Sequence, residues 1–224
     1  MGKKYDRQLI VALLGGTDDT ETTAQAEALG RKQRDSPLPS EMVTLGRGPE
    51  FDSASAGGRL AALRLAVAGR AQIALPLGRQ SRLYLVGTCD PVSRTLAGWT
   101  PADLAMQLVA VGLREIGLIS VVADGAGRDV GRDDDAQVEP GAISFASELH
   151  RMLCEEHAVI TVLHARIGAV KVLARATLLG DQVHEPGRKL TSRTTGGEAS
   201  EHHAPRSKLT FRWDGEHQLR EWSY

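Results

Sequence analysis

The chain is poor in aromatic residues, in cysteine and in net charge, and it contains no long apolar run. Aromatics make up 4% of its 224 residues, so a core has to be built from Leu, Val, Ile and Ala, within a hydrophobic content of 42%. That content and length suit one large domain, read as residues 1–224. Two cysteines, Cys89 and Cys154, make no disulfide framework, and reduced thiols are expected. A net charge of −1 lacks the global positive balance of a nucleic-acid-binding chain, although local basic clusters remain open. No apolar stretch is long enough to span a bilayer. The first apolar run, Leu9–Leu14, is too short for the core of a signal peptide and reads as a strand.

What is present is an alternation of strand and helix signals. Leu9–Leu14 is a buried strand, followed by a turn at Gly15–Asp19 and a helix over about Glu21–Gln33 with Thr20 as its cap. Met42–Leu45 is a short strand, and Arg59–Arg70 has helical spacing. Leu83-Tyr84-Leu85-Val86 and Leu118-Ile119-Ser120-Val121-Val122 are apolar strands separated by an amphipathic helix. Thr100 caps that helix, Pro101 opens it, and Leu104, Met106, Leu108 and Val111 form its apolar face. Such a βαβ unit makes the two strands parallel neighbours. A helix over about Ile143–His157 and a strand at Val159–Leu163 follow, while Ala169–Leu179 fits either element. Lys208–Asp214 alternates as a strand, Asp214-Gly215 turns, and Gln218–Trp222 pairs back as a hairpin. The expected fold is α/β, a three-layer sandwich on a mostly parallel sheet, with residues 182–224 as a flap and C-terminal hairpin.

In parallel sheets chemistry gathers beyond the carboxyl ends of the strands. That rule places Thr88, Cys89, Asp90 and Asp124 on one rim. Cys89 is a candidate nucleophile, with His164 at a neighbouring strand end as a candidate imidazole; equally, Cys89 is a small residue filling space. Asp90 and Asp124 form a candidate carboxylate pair. Cys154 reads as a structural helix residue. The acidic loop at 125–141, with Asp129, Asp133, Asp134 and Asp135, lacks the spacing of a calcium loop and reads as solvated. Gly125-Ala126-Gly127 lacks the third glycine and the helix of a dinucleotide fingerprint. His202-His203 has no partner at finger spacing, so no metal is expected.

Several segments, in order, resemble the autoprocessing cysteine protease domain of RTX and large clostridial toxins, a family with a caspase-like fold. Tyr5–Val11 resembles its opening strand, and Arg82–Gly87 the strand leading to its catalytic histidine. Leu96–Ala105 resembles the loop and helix that follow, and Ile119–Val122 the strand leading to its nucleophile. Gly187-Arg188-Lys189 and Ser207–Asp214 resemble its flap, whereas residues 46–80 and 167–183 match poorly. Where the family has Gly-His-Gly this chain has Gly87-Thr88-Cys89, and where the family has Gly-Cys it has Ala123-Asp124. A cysteine protease needs a thiolate beside an imidazole, so both catalytic positions, Thr88 and Asp124, are substituted.

The resemblance implies a catalytically inactive, cysteine-protease-like domain of a bacterial toxin or effector that acts by binding. It would lie in the bacterial cytoplasm or be secreted without a cleaved signal. The alternative is an active cysteine hydrolase using Cys89 with a non-standard base. The family senses inositol hexakisphosphate with Lys and Arg near the flap and opening strand. The positions that match are Arg188, Lys189 and Lys208, with Arg7, Arg193 and Arg212 as weaker additions. No cofactor is required by this reading, and the expected partners are an inositol polyphosphate or a host or effector protein.

Overall fold

Near-continuous apolar strands are what a parallel sheet covered on both faces requires, and the computed structural model places them in one. It describes residues 5–15, 19–32, 40–46, 77–110, 112–128, 143–173, 175–179, 182–195, 198–200 and 208–223. In chain order the elements are β1 (Arg7–Leu14), α1 (Asp19–Lys32), β2 (Ser40–Gly46) and β3 (Ser81–Val86). There follow a short hairpin, β4 (Cys89–Asp90) and β5 (Thr95–Leu96), then α2 (Pro101–Ala110) and β6 (Leu118–Val122). Next come α3 (Phe145–Arg151, continued by a π-helical turn at Met152–Glu156) and β7 (Val162–Arg166). The remainder is β8 (Ala169–Val172), β9 (Thr177–Leu179), β10 (Gln182–His184), β11 (Lys189–Thr195), β12 (Glu198–Ser200), β13 (Lys208–Trp213) and β14 (Gln218–Ser223).

The central sheet has seven strands in the order β2-β1-β3-β6-β7-β13-β14. The first five are mutually parallel, and β13 and β14 are each antiparallel to their inner neighbour. The fold is thus α/β on a mostly parallel sheet. As the βαβ pattern predicts, β3 and β6 pair directly, with Leu83 opposite Ile119 and Leu85 opposite Val121. The crossover helix α2 opens on a reciprocal cap. The Thr100 hydroxyl accepts the Asp103 N–H at 3.2 Å and donates to the Asp103 carboxylate at 2.8 Å.

Each strand offers alternate residues to opposite layers. Leu9, Val11, Leu83, Leu85, Ile119, Val121, Leu163 and Phe211 pack in one core with Leu104 and Leu108 of α2 and Phe145 and Leu149 of α3. The other face is divided. Ile10, Ala12, Val86 and Val122 pack with Ala26 and Leu29 of α1 and with Val170 and Val172 of β8. One half of that layer is a helix. The other half is a small antiparallel sheet, β12-β11-β8.

Several local expectations change. Helix α1 begins at Asp19, not behind Thr20, because the Asp19 carboxylate accepts the Gly15 N–H at 3.0 and 3.2 Å and closes the turn itself. Ser144 caps α3, accepting the Ser147 N–H at 3.2 Å. Strand β7 runs three residues later than Val159–Leu163. Val159 is consumed in closing the preceding helix, its N–H bonded to the Leu153 carbonyl, and Ile160 is 54% exposed. The ambiguous Ala169–Leu179 resolves into two strands, β8 and β9. Lys208–Trp213, expected as a flap strand, is the sixth strand of the central sheet, because Leu209 and Phe211 face the α2/α3 core. The helix expected at 59–70, Val111, residues 129–141 of the acidic loop and His202-His203 lie outside the described residues. Among the described residues no helix is long and apolar enough to cross a membrane.

Candidate functional site

The five parallel strands run in the order β2-β1-β3-β6-β7, with the switch point between β1 and β3. Thr88, Cys89 and Asp90 follow β3 there, and the Gly87 N–H reaches the Val122 carbonyl at 3.4 Å, joining the ends of β3 and β6. The rim residues gather, but each has local work. Thr88 is exposed, and its carbonyl accepts the Ala97 N–H at 2.7 Å. Cys89 pairs with Leu96 in the β4–β5 hairpin and packs against the core. Burial pushes its thiol up to about 12, and the charges of Asp90 and Asp124 push the same way. Asp90 closes the following turn, accepting the Val92 N–H at 2.9 Å and the Ser93 hydroxyl at 2.7 Å, and these bonds hold its carboxyl below the usual range. Asp124 accepts the Val170 N–H and so ties the end of β6 to β8.

His164 does not complete a dyad with Cys89. It sits mid-strand opposite Ser120, whereas the rim lies beyond Val122, about 7 Å further at 3.3 Å per residue. The correction follows from β7 starting late, which moves His164 from the strand's end to its middle. Among the described residues, the rim places no imidazole beside the Cys89 thiol, which burial and the two carboxylates hold protonated.

A Cys–His contact does exist elsewhere, within α3 and its π turn. Cys154 Sγ lies 3.6 Å from His150 Nε2, and both residues are buried. Its hydrogen bonds make it structural. The Gln218 amide nitrogen donates to the Ser147 carbonyl at 2.8 Å and to His150 Nδ1 at 2.8 Å, while its oxygen accepts the Ser147 hydroxyl at 2.7 Å. Nδ1 is therefore an acceptor, and the ring proton is on Nε2, which donates to the Thr161 carbonyl at 3.0 Å. Nε2 cannot take the Cys154 proton, so the thiol donates to the Val159 carbonyl at 3.4 Å. Burial lowers the His150 pKa and raises that of Cys154.

The unusual chemistry lies on the divided face of the sheet. Tyr84, Ser120, His164 and Thr210 stand in register across β3, β6, β7 and β13. One step along, Arg166 and Lys208 are direct partners. Lys189 enters from β11, its ammonium 3.3 Å from Ser120 Oγ and 4.0 Å from the Tyr84 ring centroid. Arg82 stands 5.2 Å from the same ring and 5.3 Å from that of Tyr5, and donates to Gln8 Oε1 at 2.6 Å. The cations act on each other. His164 is pushed down to about 3, first by burial and then by Lys208, Lys189, Arg166 and Arg212. Burial and Arg166 lower Lys208, and burial lowers Arg166. Glu221 of β14, in register with Thr210, pairs with Arg212 at 3.2 Å.

Of the cations named from the sequence, Lys189, Lys208 and Arg212 act on His164. Arg188 turns aside and donates to His184 Nδ1 at 2.7 Å. Arg7 shares the face of Leu9 and Val11, the opposite one by alternation. Arg193 lies further along β11, opposite Ser200. Arg82, Tyr84 and Arg166 were not expected; the alternation His164-Ala165-Arg166 is the signal that would have found Arg166. Among the described residues no three of His, Cys, Asp and Glu come together as a metal site. No protein-family model matches the chain and no curated protein matches it, so its functional reading rests on this geometry.

Proposed function

We propose that this is a non-catalytic domain, related to the toxin cysteine protease domains, that works by binding a polyanion between β11 and the β7/β13 half of the sheet. Inositol hexakisphosphate is the first candidate, and a bacterial toxin or effector is the setting the resemblance suggests. The observation that carries the reading is the placing of Arg166 and Lys208 as direct partners one step from the row of Ser120, His164 and Thr210, with the Lys189 ammonium 3.3 Å from Ser120 Oγ. A polyphosphate brings many strong acceptors at once, which suits several cations placed on one face. The rim supports the non-catalytic half of the proposal, because the Cys89 thiol is held protonated and, among the described residues, the nearest strand imidazole, His164, sits mid-strand away from the rim.

Titration calorimetry with inositol hexakisphosphate, at low and moderate salt, tests the reading. Binding is expected to weaken steeply with salt, to raise the melting temperature by mass action, and to fall at least tenfold in Lys189→Ala/Lys208→Ala. No heat and no thermal shift at millimolar ligand would refute it. Peptide cleavage abolished by Cys89→Ala would instead establish the hydrolase.

A further inference from the structure

We infer that His164 is part of the anion site and takes up a proton when the anion binds, so that the site binds more tightly in acid. The inference rests on the anion-binding reading above and adds its regulation.

The geometry sets the terms. His164 is partly buried in the middle of β7, with Ser120 of β6 on one side and Thr210 of β13 on the other. The charged groups that act on it come from each element around it: Arg166 on its own strand, Lys208 and Arg212 on β13, and Lys189 on β11. Beyond the adjacent strands lie the Tyr84 phenol on β3 and, on β14, the Glu221 carboxylate, which pairs with Arg212. Burial first, and then these four cations, push the imidazole pKa of the free protein down to about 3.

An anion bridging those cations reverses the local field. It neutralises the charges that oppose the imidazolium and places an opposite charge beside it, which by itself raises a pKa by about 1–3 units. The burial contribution stays. A bound-state pKa near 6 is the reasonable outcome, below the ordinary His value of about 6.5. Linkage then fixes the sign: a ligand that raises a group's pKa binds better where that group is protonated. Between free and bound values of about 3 and about 6, the affinity gain from pH 7.5 to pH 5 is about tenfold, and uptake at pH 5.5 is about 0.8 proton.

The test is titration of the full chain with inositol hexakisphosphate at pH 5.5, in two buffers of unlike ionisation enthalpy, for the wild type and His164→Gln. The phosphates' own proton exchange cancels in the difference between the two proteins. The wild type should take up about 0.8 proton more than the variant, and the ratio of wild-type to variant affinity should rise about tenfold from pH 7.5 to pH 5. Imidazole NMR titration of the wild type gives a second readout that needs no variant: one ring stays neutral to below pH 4 alone and titrates near pH 6 with ligand. Binding with equal proton counts, and no ring whose titration moves, overturns this inference and leaves the proposed function standing. Absence of heat in both buffers overturns both.

Discussion

Replacing Gln218 by alanine should loosen the C-terminal hairpin from α3 at a measurable free-energy cost. The Gln218 amide makes three hydrogen bonds, two of them to Ser147 and one to His150 Nδ1. The Ser147 carbonyl belongs to a helix and has its helical partner to fall back on. The other two groups are left exposed to loss: His150 is 0% exposed and Ser147 6%. A buried polar atom without a partner costs about 1–3 kcal/mol. The Ser147 hydroxyl can rotate towards a carbonyl one turn back, so the imidazole nitrogen carries most of the effect and the sum is about 1–3 kcal/mol. That is a large part of a typical domain's 5–15 kcal/mol. Urea unfolding at pH 8, where His150 is neutral in both states, reads it directly. Gln218→Glu sharpens the test. A carboxylate has no N–H for Nδ1, so the variant is also weak at pH 8. It pairs with a protonated ring, however, which lifts the folded His150 pKa. A raised histidine pKa contributes stability below about pH 6.5 that is lost as pH rises, so Gln218→Glu should gain on Gln218→Ala in going from pH 8 to pH 5.5. A loss under about 0.5 kcal/mol for Gln218→Ala would refute the reasoning, because water would then have replaced the amide.

The free protein should be acid-labile, since His150 and His164 are both held below the ordinary value. The unfolded chain then takes the proton first, so stability is lost as pH falls from about 6.5 towards the folded value. For His164 the loss at pH 5 is about 2 kcal/mol if fully expressed and about 1 after allowance for its partial exposure. His164→Gln should remove about that much from the difference between pH 7.5 and pH 5 in urea unfolding, and an unchanged difference would count against the cation cluster. Cys89, with its thiol pushed up to about 12, should be alkylated by iodoacetamide at pH 8 about three orders of magnitude more slowly than a free thiol. Mass spectrometry of the labelled peptide reads this, and fast labelling would reopen the hydrolase.

The pairing of β3 with β6 was legible because two apolar runs flank a helix whose cap, opening proline and apolar stripe all agree. The sequence puts β7 three residues early because Val159 and Ile160 look like strand residues, yet one closes a helix and the other faces solvent. Leu209 and Phe211 alternate clearly, but alternation does not say which sheet receives them, and the central one did. At the cation cluster, Lys189 and Lys208 are legible from residues resembling the flap. Arg82, Tyr84 and Arg166 are not, because β3 and β7 are far apart in the chain and only the sheet register brings their residues onto one face. Arg7 shows the reverse: a plausible cation whose place in the strand period turns it to the far face.

Arg166 and Lys208 are neighbours across the sheet, although 41 residues separate them along the chain. The whole lobe that carries β8 to β12 therefore leaves the sheet at one point and returns at the adjacent one. Topologically it is an overgrown hairpin loop. Closing a loop of this size rather than one half as long adds only about 0.6 kcal/mol of chain entropy, so the sheet tolerates a large appendage there. It also means the lobe's two stems are held a strand's width apart whatever the lobe does. The lobe is fastened a second time where Val170 and Val172 of β8 cover the sheet and Asp124 accepts the Val170 N–H. Arg166 and Lys208 mark the two stems between which that fastening is held.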